Sequence, residues 1–196
     1  MQELEAIREA VFKILNGEGW KRIVHFGLKP AYTIEEKKNN VENENNRLHC
    51  AICRNLNGCC FPKDNLPKYH KHPNCHCIFE DIAKPKVTAD CLREKFAGYL
   101  FSPKYANNGK AQLFIKWGYD IINIEYLIQE YIRQAEEKYA SGNFQFGKLN
   151  EYGQRISIAI ELWRKDRKEK VEFKSGWMVY PDGNIQLTTP YGGEAK

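Results

Sequence analysis

The chain has 196 residues, 42% of them hydrophobic and 13% aromatic, and a formal charge of +5. This is the composition of a folded protein with one large domain or two small ones, each with only a modest core, so an added staple such as a metal fits the size. No apolar run reaches the length of a bilayer span, which excludes a helical membrane protein, and a charge of +5 is too mild to mark a nucleic-acid binder by itself.

Leu4, Ile7, Val11 and Leu15 fall at helical spacing, and Asn16-Gly17-Glu18-Gly19 stops that helix. The same segment lacks the basic, apolar and small-residue regions of a signal peptide, which points to the cytoplasm as the place of synthesis. Trp20 to Phe26 reads as a short strand. Residues 35–47 contain one apolar side chain, Val41, and read as a solvated loop.

Six of the seven cysteines lie between Cys50 and Cys77, together with His70, His72 and His76, and His49 immediately precedes them. Clustering of both soft ligand types in a chain without an export signal favours a metal over disulfides. Cys50-Ala-Ile-Cys53 has the two-residue gap that lets both thiolates face one ion, and His72-Pro-Asn-Cys75-His-Cys77 offers three further donors. Zinc takes about four such ligands in a closed structural site, so these five donors predict structural Zn2+ and leave open which four bind. Cys59 and Cys60 are adjacent, a poor arrangement for chelating one tetrahedral ion, and read as packing residues. Cys91 reads as a buried apolar residue of a helix.

Cys50-x-x-Cys53, Leu56-Asn57-Gly58, Phe61, Pro67 and His72-Pro73-Asn74-Cys75-x-Cys77 together resemble the C-terminal zinc motif of Mu-like phage minor head (head morphogenesis) proteins. The resemblance covers residues 48–81. It departs from the family's usual pattern at His76, where arginine is common, and the long helical head domain that normally precedes the motif is missing. What it implies is a phage or prophage origin and a location in the host cytoplasm or the virion.

Residues 83–88 read as a linker, which gives two domains: 1–83, an N-terminal helix with a zinc module, and 84–196. In the second, Thr88 or Asp90 is placed to cap a helix running to about Phe101, followed by helices over 110–117 and 123–139, the latter with Ile124, Leu127, Ile128, Tyr131 and Ile132 on one face. The period then changes to two, with Ile156, Ile158, Ile160 and Leu162 alternating with Ser157, Ala159, Glu161 and Trp163. Strands at 144–148, 171–180 and 185–189 complete a four-stranded antiparallel meander, the last pair joined at Pro181-Asp182-Gly183-Asn184. Helices first and strands afterwards define an α+β fold.

Gly109-Lys110-Ala111, Phe114, Gly118-Tyr119, Tyr152-Gly153, Gly176-Trp177 and Leu187-Thr-Thr-Pro-Tyr191 resemble, more faintly, a small domain at the C-termini of phage minor head proteins and bacterial polymorphic toxins. Its order of elements is similar to the barnase, EndoU, colicin and RelE-like ribonucleases. This resemblance implies a metal-independent ribonuclease that transfers an RNA phosphodiester to its own 2′-hydroxyl, with an immunity-like protein or a phage head protein as a partner and no membrane. No histidine falls in this domain. The candidates for catalysis are therefore Lys110, Arg155, Ser175, Thr189 and Tyr191, with Ser157, Lys174 and Thr188 beside them. The rival expectation is a non-enzymatic, zinc-containing module of phage origin that binds a capsid protein, a host factor or nucleic acid.

Overall fold

The computed structural model describes residues 19–42, 50–68, 75–102, 104, 109–166 and 169–194. The helix expected over 2–15 and the ligand candidate His72 lie outside the described residues. The chain divides into two units, one of Met1–Val87, Leu149–Gln154 and Val179–Asn184, the other of Thr88–Lys148, Arg155–Met178 and Ile185–Lys196. The architecture is α+β with two sheets, and no described helix is long and apolar enough to cross a membrane.

In the first unit, β1 (Trp20–His25) lies between β2 (Cys60–Pro62) and β3 (Cys77–Ile82), antiparallel to both. Trp20, Ile23 and Phe61 are buried there. Two helices accompany the sheet, α1 (Ile34–Glu42) and α2 (Ala51–Leu56). The first corrects the expectation of a loop over 35–47. Its start is a capping box: the Glu36 N–H donates to Thr33 Oγ1 at 3.0 Å, and the Glu36 carboxylate accepts from the N–H groups of Thr33 at 2.8 Å and Tyr32 at 2.7 Å. Its anchor is Lys37, only 2% exposed. The ammonium donates to the Val179 carbonyl at 2.9 Å and the Tyr152 carbonyl at 3.3 Å, and sits 4.1 Å from the centroid of the Tyr180 ring. Burial holds its pKa below that of an ordinary lysine.

After α2 the chain reverses at Gly58, whose φ of 85° is open to glycine and costly for other residues. The turn at 181–184 belongs to the same unit. The Asp182 N–H donates to the Gly58 carbonyl at 3.0 Å, while its carboxylate accepts from Arg22 at 3.1 Å and from the Tyr32 hydroxyl at 3.0 Å.

The second unit contains a five-stranded sheet in the order β4–β8–β7–β6–β5, where four strands were expected. The strands are β4 (Thr88–Asp90), β5 (Gln145–Asn150), β6 (Gly153–Trp163), β7 (Lys170–Val179) and β8 (Asn184–Thr189). The added strand is β4, in the place read as a helix start. It is held from neighbouring elements through one side chain and one backbone group: Gln186 donates to the Asp90 carboxylate at 2.7 Å, and the Ala89 N–H donates to the Glu136 carboxylate at 3.1 Å. Cys91 follows β4 outside any helix, and is buried. Helical structure begins with a π-helical segment over Lys95–Leu100, then α3 (Lys110–Lys116) and α4 (Ile124–Ala140).

Strands β6 and β7 are antiparallel, from Arg155 opposite Met178 to Trp163 opposite Lys170. Ile156, Ile158, Ile160 and Leu162 point to the buried face, as do Phe173 and Trp177. The helices cover that face with aromatic contacts: Phe114, Trp117 and Tyr131 lie 5.5, 5.3 and 6.1 Å from Phe173, ring centroid to centroid. Eleven-residue β6 outruns six-residue β5, so part of its edge needs another partner. Side chains supply one. Gln134 on α4 both donates to the Glu161 carbonyl at 2.7 Å and accepts from the Glu161 N–H at 2.9 Å; Lys138 caps the Ala159 carbonyl, and Tyr119 the Trp163 carbonyl, each at 2.7 Å.

Candidate functional site

The cysteine cluster forms where β1, α2 and β3 end together. Antiparallel register puts His25, the last residue of β1, opposite Cys77, the first of β3. Cys50 is the N-cap of α2 and Cys53 lies one turn in, so both thiols leave the same helix end. The ligand atoms of His25, Cys53 and Cys77 all lie within 4.8 Å of one another, and Cys53 Sγ is 3.8 Å from Cys75 Sγ. His25, Cys53 and Cys77 could hold a metal ion, with Cys75 beside Cys53. Burial, with the neighbouring thiols of Cys77, Cys50 and Cys75, pushes the Cys53 thiol far above its ordinary pKa in the absence of a cation.

Two neighbours shape the cluster. Asn57, 4% exposed, accepts from the His25 backbone N–H at 2.8 Å and donates to the Leu28 carbonyl at 2.9 Å, which fixes the end of β1. The His25 ring nitrogen Nδ1 lies 3.1 Å from the Phe26 carbonyl, so a proton there leaves Nε2 with its lone pair for a metal. Arg54 is 5% exposed; burial lowers its pKa, and the negative charge of Cys50 and Cys53 raises it. A buried guanidinium beside these sulfurs favours their ionised form, which is the form that binds metal.

His25 was not legible as a ligand, because it stands twenty-five residues before the nearest cysteine and reads as the tail of a strand. Only the pairing of β1 with β3 brings it in. Cys59 and Cys60 lie apart from this set, fully buried; Cys59 donates to the carbonyls of Asn55 and Val179, and burial pushes it up to about 12.

The residues expected to act in the second unit are dispersed. Ser175 is fully buried, its hydroxyl donating to the Ile158 carbonyl at 2.9 Å and accepting from the Trp177 indole at 2.7 Å. The Tyr191 ring joins the aromatic core, 5.5 Å from Phe173, and burial raises its pKa. Lys110, at the start of α3, donates to the Tyr99 hydroxyl at 3.1 Å. Arg155 and the threonines of β8 do come together: Arg155 Nη2 lies 3.4 Å from Thr188 Oγ1. Gly176 lies beneath Thr188 and Thr189, where a Cβ would come within 3.2 and 3.3 Å of them.

Among known proteins, a family model described as a domain of unknown function, DUF6883, matches residues 85–194, more than half of the chain. No curated protein and no solved structure matches.

Proposed function

From the premise that the chain belongs to the DUF6883 family, we propose that it is a phage- or prophage-derived effector in which a structural zinc ion organises the first unit and the second unit is a metal-independent ribonuclease. The observation that carries the zinc assignment is the donor set itself. Bonds of about 2.3 Å in a tetrahedron separate two sulfurs by about 3.8 Å, and Cys53 and Cys75 stand at 3.8 Å before any ion is added. His25, Cys53 and Cys77 supply three donors within 4.8 Å of one another, and Cys75 or Cys50, both neighbours of Cys53, would supply the fourth. A shell closed by protein leaves no position for substrate, so the ion's role is structural.

The RNA-directed half is supported by the order of elements, by the likeness of the C-terminal motifs to toxin domains, and by Arg155 with Thr188 on the outer face of the sheet. A host-cell or virion location and an immunity-like or head-protein partner belong to the same proposal. The competing reading, a non-enzymatic binding module, is favoured by the commitment of Ser175 and Tyr191 to the core. Two measurements decide. Metal analysis of protein purified without chelator should give about one zinc per chain, lost in Cys53→Ser. Incubation with total RNA should give cleavage that survives added chelator; intact RNA in every condition leaves the binding module standing.

A further inference from the structure

The outer face of the second unit's sheet carries a cavity of about 240 Å3, between the turn after α4 and strands β6 and β7, lined by Asn143, Gln145, Ser157, Ala159, Glu172 and Lys174. Glu172 and Lys174 are alternate residues of β7 and so share a face, with Lys174 opposite Ala159 and Ser157 one step further along β6. Across the ladder Glu172 stands directly opposite Glu161, a like-charge pairing that disfavours the fold. Glu161 is neutralised by Lys170 at 2.9 Å and Lys138 at 3.5 Å. Among the described residues Glu172 has no such ion pair, and the side chains of Lys174, Ser157, Asn143 and Gln145 make no hydrogen bond. One hollow thus gathers a carboxylate, an ammonium, a hydroxyl and two amides that are uncommitted among the described residues, over a floor kept low by Ala159.

We propose that this cavity seats the reacting ribose and phosphate of an RNA strand, with Glu172 as general base and Lys174 as the cation on the phosphate. The proposal rests on the ribonuclease reading above, and supplies the proton acceptor that a histidine-free domain otherwise lacks. In the step it describes, the Glu172 carboxylate takes the proton of the 2′-hydroxyl, the 2′-oxygen bonds to phosphorus, and the bond from phosphorus to the 5′-oxygen breaks. The departing 5′-oxygen takes a proton from solvent, and Glu172 later returns its own to solvent. The products are a 2′,3′-cyclic phosphate and a 5′-hydroxyl, with no change of oxidation state. Lys174 holds the charge that develops on the non-bridging oxygens, and Ser157 and the amides of Asn143 and Gln145 have the donors to orient the sugar. Arg155, two residues from Ser157 on the same face, is placed for the next phosphate.

The test uses the full chain, total RNA, and a DNA oligonucleotide carrying one ribonucleotide. Wild type should cut at the ribonucleotide and leave a 2′,3′-cyclic phosphate. Glu172→Gln and Lys174→Ala should each lower the rate on the order of a hundredfold at an unchanged melting temperature, while Lys116→Ala on α3 should cut as wild type does. Should Lys174→Ala fail to fold, Lys174→Gln takes its place in the same assay. If wild type cuts RNA and both cavity variants keep its rate, the cavity assignment is overturned and the ribonuclease reading stands. If wild type cuts no RNA, the ribonuclease reading fails and the cavity assignment with it.

Discussion

Gly58 shows how one residue can be dictated twice. Its φ of 85° is left-handed, and a Cβ would lie 2.9 Å from the Cβ atoms of both Pro30 and Pro181. Gly58→Ala should therefore lower stability by about 1–3 kcal/mol for the backbone alone, with the clash added, measurable as a drop in urea midpoint. Lys37 makes a second prediction at this scale. Because burial lowers its folded pKa below the 10.5 of an exposed lysine, both states are protonated below the folded value and the full cost of burying the charge applies. Between the folded pKa and 10.5 the unfolded chain binds more protons, so this group's contribution to stability improves with rising pH. Lys37→Met has no such group. The stability of wild type relative to this variant should rise as pH approaches 10.5, and a pH-independent difference would show that the ammonium is solvated.

At the scale of elements, the candidate metal site is a meeting of strand end and helix start, and the residues behind its donors should be measurable without any activity. Arg54→Leu removes the buried cation beside Cys50 and Cys53, and His25→Gln removes a donor; each should weaken zinc binding, the first by about 10–100-fold, as outer-shell partners commonly do. Competition with a chromogenic chelator reads both. Wild-type affinity in His25→Gln would place the fourth ligand at Cys50. The cysteine gaps stand out in the sequence because residues that can face one ion are close neighbours there, whereas His25 joins the cluster through a sheet pairing that no spacing reveals. The alternation of β6 was equally plain, since one of its faces is a continuous row of Ile156, Ile158, Ile160 and Leu162. Two elements were hidden by competing local signals. Three-residue β4 carries the Thr and Asp of a helix cap, and α1 has the polar composition of a loop, its stability coming from a capping box and from one lysine held by distant carbonyls. Ser175 misled for the converse reason: a strand serine looks available, yet here it satisfies a tryptophan indole in the core.

For the whole molecule, two short segments from the second half of the sequence are counted with the first unit, 149–154 and 179–184. A fragment beginning at Lys86 keeps β4 through β8 and both α3 and α4, so it should show the circular dichroism of an α+β protein. It also loses Lys37 from the Val179 and Tyr152 carbonyls and Arg22 from Asp182, and should unfold at lower urea than the full chain. A random-coil spectrum would mean that the sheet does not form without residues 1–85.

The three side chains that finish the edge of β6 bear on how the protein behaves in a crowded cell. A strand whose N–H and C=O groups are open is a template for a strand from another chain, and Gln134 closes the Glu161 position of that template on both its donor and its acceptor. Gln134→Leu is close in size and leaves the fold's apolar contacts in place, but it reopens that position. The variant should look native when dilute and lose monomer with time at high concentration, gaining thioflavin fluorescence, so that a single amide separates a protein that stays in solution from one that seeds its own fibres.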